Sequence, residues 1–127
     1  MTKTPTAARW RELVRQAKRT GLTTRAAEAY ATLGWWGEHY GIPTPPIVSG
    51  KRSASRQRQL QQAWDRGDRR GLVVRPASSS HHTRGEAWDL PRSGALATYG
   101  AWAPYLGVRW GGNFRDRDEV HFDLGSD

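Results

Sequence analysis

The chain has 127 residues, no cysteine and a formal net charge of +8, from 20 Lys and Arg against 12 Asp and Glu. This length fits one domain with a single modest core, and we expect residues 1–127 to form one monomeric domain. Because cysteine is absent, disulfides and thiolate metal sites are excluded, and any metal ion must be bound by nitrogen and oxygen atoms.

Two helices are predicted in residues 1–41. Thr4-Pro5 is a typical start for the first helix, with Thr as the N-cap, and Gly21 is a typical stop. Thr23 or Thr24 is the expected N-cap of the second helix, which the glycines at 34, 37 and 41 would end. Apolar residues recur at helical spacing and predict the buried faces: Trp10, Leu13, Val14 and Ala17 in the first helix, and Ala26, Ala27, Tyr30 and Leu33 in the second.

Residues 47–123 combine further helices with short strands. Ser53 or Ser55 is the expected N-cap of a third helix, and Ser93 of a fourth that ends at Pro104. The apolar residues of the third helix predict its buried side: Leu60, Ala63 and Trp64. The predicted strands, read from β-branched and alternating residues, are Ile47–Ser49, Leu72–Val74, Glu86–Leu90, Val108–Trp110 and Val120–Phe122. This order predicts an α+β fold.

Two segments combine side chains that can bind a metal ion. Residues 80–89 read S-x-H-x-x-G-x-A-x-D, and residues 118–122 read D-x-x-H-F. His82, Asp89 and His121 together offer two imidazoles and a carboxylate, and three protein ligands with an open fourth position are typical of catalytic zinc sites. We therefore predict that these three residues bind Zn²⁺ and that the protein catalyses hydrolysis.

Each ligand also has a structural interpretation. His82 could be a surface residue, and Asp89 could cap a helix or pair with an arginine. His81 competes with His82 as a ligand, but only His82 has the spacing H-x-x-G-x-A-x-D. The two motifs as a whole favour the metal site, because their combination is far more specific than any single residue.

Such a site also needs a base that takes a proton from water and passes it to the leaving amine. Asp118, three residues before His121, is our candidate. Asp116, Glu119 and Asp123 are rivals, and a solvated charge run is the alternative interpretation for all four.

Arg52 follows the first predicted strand. An arginine there could bind a substrate carboxylate or stabilise a developing oxyanion through its planar guanidinium. In a chain this rich in arginine, a surface role is the alternative, and only the sequence context of Arg52 favours the functional role.

These motifs resemble, in order, those of the zinc D-alanyl-D-alanine carboxypeptidases and L-alanyl-D-glutamate endopeptidases, which include vancomycin-resistance D,D-peptidases and phage endolysins. The resemblance covers residues 47–123, and its further parts are G-x-R-S at 50–53, Gln57, and W-G-G at 110–112. It implies a small α+β domain with a central antiparallel sheet and flanking helices, as in the hedgehog signalling domain. Residues 1–41 match nothing in this family and would form a helical N-terminal part.

The resemblance also implies roles for individual residues. The implied roles are zinc ligands for His82, Asp89 and His121, the catalytic base for Asp118, and substrate contacts for Arg52, Ser80 and Gln57. Lys51 and Ala77 depart from the family, which often has an aromatic residue and a glycine there. The aspartate base and W-G-G favour the branch that cleaves the L-alanyl-D-glutamate bond of peptidoglycan stem peptides. A D-alanyl-D-alanine carboxypeptidase or dipeptidase with the same site is the alternative.

No apolar run in the sequence is long enough to span a bilayer, and the N-terminus does not resemble a secretory signal. We therefore expect a phage or prophage lysin that is made in the host cytoplasm and acts on the cell wall after release. Its positive charge would help it approach an anionic envelope. A nucleic-acid-binding protein is a rival, but no recognisable motif supports a nucleic-acid partner. A metal-binding protein without catalysis is a third alternative, and Asp118 argues against it.

Overall fold

The structure is a computed structural model that describes residues 4–69 and 81–125. Within these residues the helices are α1 (Ala7–Arg19), α2 (Thr24–His39), α3 (Ala54–Asp65) and α4 (Leu96–Trp102), and the strands are β1 (Ala87–Asp89), β2 (Arg109–Trp110) and β3 (His121–Asp123). Short 3₁₀ helices, Ala103–Leu106 and Gly111–Asn113, flank β2. The predicted strand at 72–74 and the loop that contains Ser80 lie outside the described residues.

Helix α1 begins at Ala7, two residues after the predicted start. Thr6 is the N-cap, and its hydroxyl accepts a hydrogen bond from the Arg9 amide at 3.1 Å. Thr6 offers the same cap as Thr4, and two alanines follow it directly, so the helix begins where helix propensity is higher. The predicted buried face is confirmed at Leu13 and Ala17, while Trp10 and Val14 are half-buried.

Helix α2 begins as predicted and ends later than predicted. Thr23 is the N-cap, and its hydroxyl accepts from the Ala26 amide at 3.2 Å. The prediction that Gly34 and Gly37 end the helix was wrong, because α2 continues through both to His39. Both glycines are buried, and other segments of the same chain pack closely against them: Thr44 against Gly34, and Tyr99 against Gly37. Tertiary packing therefore outweighs their low helix propensity.

The three strands form an antiparallel sheet in the order β1-β3-β2. Trp88 pairs with Phe122 in register, and their rings stack at 6.0 Å with an interplanar angle of 9°. Both are fully buried in the core with residues of α2 and α4. Since side chains alternate along a strand, Asp89 and His121 are cross-strand neighbours on the opposite face. The predicted α+β fold with an antiparallel sheet is confirmed.

Two predictions near the sheet require correction. The predicted strand Ile47–Ser49 is only an isolated bridge between Ser49 and Asp89, because one residue pair alone has ladder geometry. Helix α3 has the predicted N-cap, Ser53, but it buries Gln57 and Gln61 instead of the predicted apolar residues. Leu60, Ala63 and Trp64 are half-buried. No helix in residues 4–69 and 81–125 combines the length and apolar character needed to cross a bilayer.

Candidate metal centre

Three chain segments converge on one face of the sheet. The register of β1 and β3 places Asp89 opposite His121. His82 lies in the turn that precedes β1 and is 4% exposed. Gly85 in this turn has φ +72°, a left-handed conformation that glycine adopts without strain, and it brings the chain back towards the strand. The glycine of the H-x-x-G motif therefore has a geometric role in bringing His82 to Asp89.

Two of the three separations between the predicted ligand atoms match those around a tetrahedral ion. Asp89 Oδ1 lies 3.4 Å from His82 Nε2 and 3.3 Å from His121 Nδ1. The three donor atoms lie within 4.8 Å of one another. Ligands about 2.0–2.1 Å from a tetrahedral zinc ion are about 3.3–3.4 Å apart, so both separations from Asp89 Oδ1 suit such an ion.

Each histidine is oriented by a hydrogen bond on its outer nitrogen. His82 Nδ1 is 2.9 Å from the Gly50 carbonyl oxygen, and His121 Nε2 is 2.7 Å from Asp123 Oδ2. Both oxygens can only accept, since a buried carboxylate beside an arginine is ionised, so the outer nitrogens must donate. The inner nitrogens, His82 Nε2 and His121 Nδ1, face Asp89, and on a neutral ring each of them carries the lone pair that metal ligation requires.

The electrostatics of the site favour a cation. Burial by itself would raise the pKa of Asp89, but the imidazoles of His121 and His82 hold it well below its usual range. Burial would likewise lower the pKa of His121, but Asp123 and Asp89 raise it to about 9. Asp89 Oδ1 is buried and accepts no hydrogen bond from the described residues. A buried oxygen without a partner is costly, and a metal ion would satisfy it.

Asp118 is half-buried, and its carboxylate interacts electrostatically with Asp89, His121 and His82. Its amide donates to the Gly111 carbonyl at 2.9 Å, and its own carbonyl accepts from the His121 amide at 3.0 Å. A side chain at Gly111 would overlap the Asp118 carbonyl, so the W-G-G motif permits this close approach. Trp110 strengthens the same loop by donating from Nε1 to the Glu119 carbonyl at 2.7 Å. The backbone, and not its side chain, therefore determines the position of Asp118.

The carboxylate of Asp118 is available for chemistry. Burial, and secondarily the charge of Asp89, raises its pKa. No hydrogen bond from the described residues occupies this carboxylate. A half-buried carboxylate with a raised pKa beside a metal centre can accept and return a proton.

The predicted substrate residues have different surroundings. Arg52 Nη2 donates to Asp89 Oδ2 at 3.2 Å, and Arg52 Nη1 is 3.5 Å from Gln57 Oε1. Gln57 is 1% exposed, and this contact links a buried side chain to the Arg52 guanidinium. The arginine is thus attached to a predicted metal ligand, and its contact with substrate remains a prediction. Ser80 lies outside the described residues.

The contacts that Asp123 and Arg109 make near the site were not predicted from the sequence, and no role was assigned to His81. Asp123 was considered only as a rival base, yet it is 1% exposed and bound to His121. Arg109, which had no predicted role, donates to both Asp123 oxygens. His81, the rejected ligand, contacts the Gly125 carbonyl at 2.7 Å through Nε2. The alternation of β3 could have indicated Asp123, because residues two apart share a face.

Comparisons with known proteins support the fold. The structure is similar to the crystal structure of the L-Ala D-Glu endopeptidase ChiX of Serratia marcescens, with a TM-score of 0.54 and 21% sequence identity. The match covers 94% of this chain and 89% of that chain. No protein-family model matches the sequence. No curated protein matches it significantly.

Proposed function

We propose that the protein is a zinc-dependent peptidoglycan peptidase that cleaves the L-alanyl-D-glutamate bond of stem peptides. The observation that carries the proposal is the convergence of His82 Nε2, Asp89 Oδ1 and His121 Nδ1, with which the carboxylate of Asp118 interacts electrostatically. The similarity to a structure described as an L-Ala D-Glu endopeptidase supports both the reaction class and the bond. An enzyme with this substrate would act on the cell wall, as expected of a lysin.

His82, Asp89 and His121 would hold the zinc ion, and their two imidazoles and one carboxylate suit it. A zinc ion there supplies Lewis-acid activation of water and of the scissile carbonyl. Asp118 accepts the proton of the attacking water and returns it to the leaving amine, which allows the C–N bond to break. The raised pKa of Asp118 favours this exchange, because burial makes its carboxylate a better proton acceptor.

Arg52 has a supporting role in this proposal. Its side chain is 17% exposed and forms a salt bridge with Asp89 at 3.2 Å. Arg52 orients Asp89 through Nη2 and presents the remaining guanidinium N–H groups towards a substrate carboxylate or a developing oxyanion. In this arrangement Gln57 positions Arg52, and Ser80 contacts the substrate.

The test is mass spectrometry of purified peptidoglycan digested by the zinc-loaded protein, by the protein with a chelator, and by the protein with zinc restored. We expect new fragments that begin at D-glutamate, their loss with chelator, and their return with zinc. Release of free D-alanine would instead favour the D-alanyl-D-alanine carboxypeptidase. Intact peptidoglycan from every wall type, together with salt-sensitive and chelator-insensitive DNA binding, would favour the nucleic-acid alternative.

A further inference from the structure

Asp123 is a buried carboxylate whose oxygens are both occupied. Oδ2 accepts from His121 Nε2 at 2.7 Å and from Arg109 Nη2 at 2.9 Å. Oδ1 accepts from Arg109 Nε and from the Gly125 amide, each at 2.7 Å. Donors on three sides prevent the carboxylate from rotating, so its position relative to His121 is defined.

This contact selects one state of the His121 ring. An ionised carboxylate can only accept, so Nε2 carries a proton, and the neutral ring, which is the form that binds a metal ion, then has its lone pair on Nδ1. Arg109 and the Gly125 amide donate to the oxygens of Asp123, and donors on both oxygens favour the ionised carboxylate. A His121 ring without this partner could rotate or take the other tautomer, and either change would remove the Nδ1 lone pair from the site.

Phe114 packs near the His121 ring and restricts its rotation. Its ring lies 5.7 Å from the His121 ring, centre to centre, and the Arg109 guanidinium lies 5.1 Å from the centre of the Phe114 ring. Arg109 therefore contacts both Asp123 and Phe114, two of the groups adjacent to His121. A surface ion pair would have no such connection to the metal centre, and Arg109, with a side chain 46% exposed, would contribute little as a simple salt bridge.

We propose that Asp123, anchored by Arg109, is the positioning residue that sets the orientation and tautomer of His121 and thereby the metal affinity of the site. The inference rests on the proposed metal centre. It concerns how tightly the ion is retained, and it requires no assumption about the substrate.

The test compares the zinc affinity of Asp123→Asn, Asp123→Ala and Arg109→Gln with that of the unaltered protein, by competition with a chromophoric chelator. Asp116→Asn is the matched control, since Asp116 is an exposed aspartate of the same charged segment. The melting temperature of each metal-free variant, followed by circular dichroism, separates loss of folding from loss of positioning.

We expect Asp123→Ala to weaken zinc binding about 10- to 100-fold, the usual effect of removing a partner of a ligating histidine. Asp123→Asn should lose less zinc affinity than Asp123→Ala, because its amide oxygen still accepts from Nε2. Arg109→Gln should lose the least affinity of the three. Asp116→Asn should bind zinc normally.

Unchanged zinc affinity in both Asp123 variants would overturn the inference. If these variants fail to fold, Arg109→Gln decides: a several-fold loss of affinity supports positioning, and normal affinity contradicts it. Failure of the unaltered protein to bind zinc would overturn the proposed metal centre itself, so the two failures are distinguishable.

Discussion

The two histidines of the candidate metal centre present different ring nitrogens to Asp89. His82 uses Nε2 because the Gly50 carbonyl occupies its Nδ1, and His121 uses Nδ1 because Asp123 occupies its Nε2. The choice of nitrogen therefore depends on what lies behind each ring. Residue identity alone does not determine which ring nitrogen faces the candidate metal centre.

At this scale, Asp118→Ala tests the catalytic base. We expect kcat to fall at least about 100-fold, the lower range for loss of a general base, while zinc affinity and melting temperature stay close to normal. The reason is that the loop is held by the backbone bonds of Asp118 to Gly111 and His121, which the substitution retains. Turnover on peptidoglycan and a zinc titration provide the measurements.

Asp116→Ala is the control, since it removes an exposed carboxylate from the same loop. We expect it to keep full activity. Asp118→Ala with normal turnover would exclude this residue as the base and return the role to its neighbours.

At the scale of elements, α1 and α2 are joined by polar contacts across their packed faces. Glu38 accepts from Arg9 Nη2 at 2.8 Å and from the Thr44 hydroxyl at 2.7 Å. Trp10 Nε1 donates to the Thr32 hydroxyl at 3.1 Å. Glu38 lies near the end of α2 and Arg9 near the start of α1, so this ion pair holds both helices in register.

Glu38→Gln should lower the free energy of unfolding by about 1–2 kcal/mol at pH 7, because it removes a charged hydrogen-bond acceptor that is 17% exposed. Burial would raise the pKa of Glu38, but hydrogen bonds from Arg9 and Thr44 and the charge of Arg9 lower it. The pKa of Glu38 is therefore lower in the folded than in the unfolded state. Its contribution to the free energy of unfolding is fully present above the unfolded pKa, and it is lost as the pH falls through the folded pKa.

Urea unfolding at pH 7 and at decreasing pH below about 4 provides the measurement, since the unfolded pKa of Glu is about 4.3. The difference between Glu38→Gln and the unaltered protein should shrink as the pH falls. Glu12→Gln is the control, because Glu12 lies 3.8 Å from the same Arg9 and is 52% exposed, and it should change stability little. If Glu38→Gln and the unaltered protein differed in free energy of unfolding by the same amount at pH 7 and at low pH, the ionic contribution of Glu38 would be contradicted.

At the scale of the whole molecule, the candidate metal centre connects segments that are distant in sequence. The loop before α3 contributes the Gly50 carbonyl and Arg52, the turn before β1 contributes His82, and β1 and β3 contribute Asp89 and His121. An ion bound there would therefore stabilise the folded state against unfolding, because the unfolded chain has no such site.

Zinc at about 100 times its Kd should add about 2.7 kcal/mol of stability, which corresponds to a rise in Tm of about 10 °C for a domain of this size. Removal of the ion with a chelator should reverse the rise. Differential scanning calorimetry with and without zinc provides the measurement. His82→Gln is the control, and its Tm should not respond to zinc; identical Tm values for the unaltered protein under both conditions would contradict the metal centre.

Local features of this protein follow from residues that are close together in the sequence. Hydroxyl side chains at 23 and 53 cap helices as predicted, and the motif spacing selected His82, Asp89 and His121, which the structure brings together. The cap predictions succeeded because caps depend on residues a few positions apart, while metal binding by the three residues stays a prediction.

Three features depend on tertiary contacts. Helix α2 continues through Gly34, helix α3 buries polar side chains, and Arg109 pairs with Asp123. Each depends on which distant segment lies opposite, as when Arg52 meets Asp89 across 37 positions of the chain. Local propensities of under about 1 kcal/mol per residue give way to such contacts, because burial and charged hydrogen bonds contribute more.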